Sequence, residues 1–132
     1  MRPLALFVLA LTGACVSPHM NVTPLGTHPY PPRPSDAPVA LYQNTAPACA
    51  YDEVAIVHVS AKTLWQTDEK LADALRTKAR ELGGDAVIGV RAGQPVVGAS
   101  RDADGSVSVD RTRDVSGTVI RFKDTPCAAA RE

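Results

Sequence analysis

Residues 67–91, TDEKLADALRTKARELGGDAVIGVR, decide the fold: they describe a helix that stops at a glycine pair and turns at once into a strand. Thr67 is an N-cap residue whose hydroxyl can accept from a free N–H of the first turn, and Asp68 and Glu69 sit at the positive end of the helix dipole. Leu71, Leu75, Ala79 and Leu82 recur at helical spacing and make one apolar stripe. Lys70, Asp73, Arg76, Lys78, Arg80 and Glu81 populate the opposite, solvated side. Gly83 falls where a left-handed residue is wanted to leave a helix.

Working outward, Tyr51 to Ser60 (YDEVAIVHVS) is rich in Val, Ile and Tyr and predicts a strand before the helix. Asp85 to Ser100 predicts a second extended stretch, interrupted at Gly93 and Pro95. Asp102-Ala103-Asp104-Gly105 is a hairpin turn signal, and Ser106 to Lys123 returns as a strand kinked near Asp114. The Asp-x-Asp-Gly spacing also touches the calcium-loop pattern. It lacks the third early ligand and the late glutamate that calcium needs, so a plain turn is expected. The expected fold is α+β: a small mixed sheet in the order β-α-β-β, with a long β hairpin and one helix packed on one face. A right-handed crossover through the helix makes the first two strands parallel; if the third lies between them, the three form a mixed sheet.

These strands are apolar on both sides, a pattern typical of sheets covered twice. Val54 and Ile56 fall on one side of the first strand, and Ala55, Val57 and Val59 on the other. Ile88 and Val90 oppose Val87 in the second, and Ile120 and Phe122 oppose Val119 in the third. One helix covers one face. The other is either closed by the hairpin, Trp65 or the C-terminal tail, or is a candidate partner face, with Val57, Val59, Val87 and Val119 as its residues.

The N-terminus has a different character. Arg2 precedes the apolar run Leu4–Leu11, far shorter than the roughly 20 residues a membrane span requires. Leu11-Thr12-Gly13-Ala14-Cys15 then resembles a bacterial lipobox, which predicts a signal peptide over 1–14 and lipidation of Cys15. More than one acyl chain anchors stably. Val16 replaces the Asp that retains such proteins in the inner membrane, which favours the outer one. Residues 15–47 carry eight prolines and little aliphatic periodicity, and are expected to form a disordered spacer reaching on the order of 100 Å if extended. His19 and His28, within it, are not a preorganised metal site. The α+β domain is expected over 48–127, with a short tail at 128–132.

Two cysteines remain besides Cys15. Cys49 precedes the first strand and Cys127 follows the last. If those strands are antiparallel neighbours the thiols approach, and an exported chain permits a disulfide. A redox or metal-binding pair is the competing reading, without CxxC spacing or a flanking His to favour it.

CAYDEVAIVHVS, KARELGGDAVIGVR and VSGTVIRF together resemble the YbjQ-type heavy-metal-binding domain family and its exported relatives, which include the Rcs stress-sensor lipoproteins of enterobacteria. The resemblance spans roughly residues 49 to 125. It implies a small α+β domain, joined in the exported relatives to a lipidated Cys by a Pro-rich spacer and bearing disulfides. The metal label finds little footing here, because three scattered His and two paired Cys make a poor ligand set.

Fourteen Lys and Arg balance fourteen Asp and Glu, interspersed rather than striped, so nucleic-acid binding is not expected. No nucleophile elbow, metal triad or phosphate loop appears. His58 and Ser60 share a strand face but lack an acid partner in sequence, so no enzyme and no cofactor are expected. The leading expectation is a lipid-anchored, non-enzymatic envelope protein, held at the membrane through acyl chains on Cys15. Its domain is expected to contact an envelope partner or itself, in sensing or assembly. The alternative is a small-ligand or metal-binding periplasmic module.

Overall fold

The computed structural model describes residues 17–62, 66–123 and 127. Seven strands and one helix follow in order: β1 (His19–Pro24), β2 (Ala40–Leu41), β3 (Tyr51–Ala61), α1 (Asp68–Glu81), β4 (Ala86–Gly93), β5 (Val96–Arg101), β6 (Val107–Arg111) and β7 (Arg113–Phe122). The main sheet has the order β1-β3-β7-β4-β2, and β5 pairs with β6 as a separate two-stranded ribbon. The α+β class and the mixed sheet with one helix stand, and β7 lies between β3 and β4, antiparallel to both.

The strand count and order differ from the β-α-β-β layout, because the expected spacer is not a spacer. Residues 19–24 pair antiparallel with β3 along one edge, His19 facing Ser60 and Pro24 facing Ala55. Residues 40–41 pair parallel with β4 at the other edge. Between them the chain crosses the C-terminal end of α1: Arg33 N–H donates to the Arg80 carbonyl at 2.8 Å, and Arg80 Nε donates to the Ala37 carbonyl at 2.7 Å. Proline is tolerated on edge strands and in the connections between them. Enough apolar side chains are present to hold the segment: Met20 and Val22 pack on the core, and Ala37 and Val39 are themselves buried.

The helix follows its sequence signals. Thr67 accepts from Lys70 N–H at 3.3 Å, and Leu71, Leu75 and Ala79 are fully buried. It ends in paired closing bonds, Gly84 N–H to the Ala79 carbonyl and Gly83 N–H to the Arg80 carbonyl, with Gly83 at φ 78°. Gly83 also has no room for a side chain, since a Cβ there would lie 2.6 Å from the Pro31 carbonyl oxygen and from Tyr30 Cβ.

Two register shifts change which side chains share a face. One lies between Glu53 and Ala55, and Val54 consequently packs with the helix-side core rather than beside Ile56. The other lies between Ile88 and Arg91, where Gly89 takes φ 62°. Val90 thereby joins Val87 on the helix side while Ile88 faces away.

Candidate interaction surface

The helix-side face of the sheet is closed. Val57, Val59, Val87 and Val119 are each fully buried, packed with Val115 against Leu71, Leu75 and Ala79. The candidate partner face is therefore corrected: these four valines are core. The helix does not act alone there, because Met20 and Val22 of β1, Val39, and Leu41 of β2 extend the cover.

The opposite face divides in two. Toward the C-terminal end of β7, Ala86, Ile120 and Phe122 form a second buried cluster, with Ala40, Tyr42, Cys49, Tyr51, Ile88 and Cys127 packed on it. Cys49 and Cys127 are paired here, their Cα atoms 6.2 Å apart, within the span a disulfide allows. Trp65, another candidate cover, lies outside the described residues, as do Cys15 and residues 1–14, the expected signal peptide.

The rest of this face is open. Register aligns Thr23, Ile56, Thr118 and Ile88 in one row, and Asn21, His58, Ser116 and Arg91 in the next. Ile56 is 43% exposed at the centre of this field of hydroxyl and amide groups. His58 Nε2 stands 3.4 Å from Asp114 Oδ2, and Asp114 Oδ1 is buried without a hydrogen-bond partner. The acid that the sequence did not offer His58 thus arrives from β7. Ser60 lies on the same face but makes no hydrogen bond to the ring, so no relay from hydroxyl to imidazole to carboxylate is assembled. An apolar centre ringed by short polar groups suits protein contact.

A second polar cluster joins the crossing segment to the sheet. The Tyr30 hydroxyl donates to Asp52 at 3.1 Å, Lys123 Nζ lies 3.1 Å from the same carboxylate, and the Arg121 guanidinium stacks 5.0 Å from the Tyr30 ring centre. The Lys123 hydrogen bond lowers the Asp52 pKa below its ordinary value. Hydrogen bonding to Asp52 raises that of the Tyr30 hydroxyl. A shallow cleft of about 300 Å³ opens beside it between Pro24, His28, Tyr30, Val54 and Leu82. His28 bonds to Thr27 rather than to another metal-ligating side chain, and no group of three or more His, Cys, Asp or Glu suited to a metal occurs among the described residues.

The turn at Asp102–Gly105 closes the β5–β6 ribbon as a plain turn, with Gly105 N–H donating to the Asp102 carbonyl at 2.9 Å. Asp104 accepts from the backbone N–H and hydroxyl of Ser106, the hydroxyl contact chiefly holding its pKa low. Sequence reasoning missed β1. The signal was the alternation in HMNVT, apolar at Met20 and Val22 only, overshadowed by the surrounding prolines.

No helix among the described residues is long and apolar enough to cross a membrane. No family model and no curated protein matches the chain. Among solved structures it is similar to the crystal structure of FvfA, a Francisella virulence factor, at 14% sequence identity over 82% of this chain and 100% of that one, with a TM-score of 0.50. At that identity the likeness is one of fold.

Proposed function

We propose that the protein is a lipid-anchored component of a bacterial envelope, attached through Cys15, with a non-enzymatic domain that contacts a protein partner across the open face of its sheet. The observation that carries this reading is the lipobox-like run Leu11–Cys15, which ends four residues before β1 begins. The sequence resemblance to exported YbjQ-type relatives supports the same reading. Ile56 is the centre of the contact, flanked by Thr23, Thr118 and His58.

The test is crosslinking in intact cells with metabolic labelling by a fatty-acid probe. The wild-type chain is expected to take up label and to crosslink to one dominant envelope protein. Cys15→Ala should lose both label and membrane attachment, and Ile56→Asp should lose the crosslink while keeping the label and the fold. A wild-type chain without label removes the anchor. A crosslink indifferent to Ile56→Asp removes the face.

A further inference from the structure

The β5–β6 ribbon is two-sided. Ala99 faces Val109, Arg101 faces Val107, and Val96 faces Arg111, so these side chains lie on one side. Val97, two residues before Ala99, joins them. The other side carries Ser100 and Ser108, whose hydroxyls meet at 2.7 Å, and Gly98 opposite Asp110. The first side therefore combines valines with two guanidinium groups and contains no carboxylate. Val96, Val97, Val107 and Val109 are 56%, 60%, 58% and 45% exposed, and the ribbon packs extensively on no other element among the described residues. The acids of the ribbon lie off this side: Asp110 is on the opposite side, and Asp102 and Asp104 are in the tip turn, where both contact the Ser106 hydroxyl.

The ribbon leaves the sheet beside the N-terminus. His19 pairs with Ser60, Ser60 with Asp114, and Asp114 with Gly93, so the first residue of β1 and the root of the ribbon share one end of the sheet. Four residues from Cys15 to His19 reach at most roughly 14 Å. A six-residue strand such as β5 is about 20 Å long. A tether shorter than the arm beside it keeps that arm at the surface holding Cys15, at high effective concentration.

We infer that the valine and arginine side of the β5–β6 ribbon docks on an anionic lipid surface, the valines entering the interfacial layer and Arg101 and Arg111 binding headgroup phosphates. This rests on Cys15 as the anchor for its geometry. Its chemistry, an apolar strip with cations and no acids, is that of a surface lying on anionic lipid.

The test uses residues 15–132 carrying Cys15→Ser, which keep every described element while removing any acyl chain. Binding is measured by sedimentation with vesicles of phosphatidylcholine alone and with about 30% phosphatidylglycerol, whose anionic headgroups give a negative surface potential. The chain is expected to prefer the anionic vesicles. R101Q/R111Q should lose about twenty-five-fold in partition, from about fivefold for each arginine. V97S/V109S should weaken binding several-fold, and both variants should keep the wild-type melting temperature. Equal partition onto the two vesicle types, or an R101Q/R111Q variant that binds like wild type, overturns the inference. So does concentration-dependent dimerisation that V97S/V109S abolishes in the absence of vesicle binding, which would assign the strip to a second copy. Intact-mass measurement of the mature chain from cells is read separately: a Cys15 without acyl chains overturns the anchor, while the vesicle data alone decide the ribbon.

Discussion

Arg33 and Asp85 are 52 residues apart, and they meet as an ion pair in which the Asp85 side chain is about nine-tenths buried. Asp85 also accepts from the buried Phe122 N–H at 2.8 Å, so one carboxylate ties the crossing segment to the end of β7. Removing a partner from a buried pair is costly because the remaining charge loses compensation. Arg33 is 27% exposed, which reduces the effect. Arg33→Ala should lower stability by about 2 kcal/mol in chemical denaturation, below the 3–5 kcal/mol typical of a fully buried pair. Asp52 gives a prediction in pH. Its folded pKa lies below the ordinary 3.8, so the stability it contributes is complete above that value and is lost as pH falls through the folded one. Tyr30 acts in the other direction: its raised folded pKa makes a contribution complete below 10 and lost as pH rises past it. The melting-temperature difference between wild type and Asp52→Asn should therefore be constant near neutrality and shrink on acidification below about pH 4. A difference that grows there would refute the assignment.

Among the elements, β1 separates a spacer from a structural strand. It covers the edge of β3 with a full antiparallel ladder, and its Met20 and Val22 complete the helix-side core. Deleting residues 17–25 should destabilise the domain by about 1–2 kcal/mol from the loss of these two half-buried side chains, which contribute less than the roughly 1.5 kcal/mol each of full burial. It also exposes an eleven-residue strand as an edge, which favours aggregation. Thermal unfolding with light scattering checks both outcomes. An unchanged melting temperature would restore the spacer reading.

For the molecule as a whole, the Cys49–Cys127 pair closes a loop of 78 residues in sequence separation and sits on the second cluster, which the helix does not reach. Cys49→Ala/Cys127→Ala should cost about 2–4 kcal/mol. Reduction of the wild-type chain should give the same loss. A wild type indifferent to reductant would show that the bond does not form in solution. With the proposed anchor at Cys15, the four residues to His19 would hold the domain close to its membrane, where a spacer over 15–47 would hold it on the order of 100 Å away.

Local chemistry was enough to read α1 and its two ends, the Asp102–Gly105 turn and the strands around them. Each depends on periodicity, capping or order along the chain. The meeting of Cys49 with Cys127 waited on the pairing of β3 with β7. The handedness of the crossover bears only on β3 and β4 being parallel; the place of β7 between them is decided by its pairing with both. Tertiary structure alone decided which side chains face which way, because a single extra residue at Val54 or Gly89 reverses the side of every residue beyond it, and composition does not mark such shifts. It also decided that a Pro-rich segment is ordered, since Met20, Val22, Ala37 and Val39 gain their burial from a sheet and a helix that come later in the chain. The open face follows from the same cause: once β1 and the crossing segment complete the helix side, the surface left over centres on Ile56, His58 and Asp114, whose proximity is set by the pairing of β3 with β7.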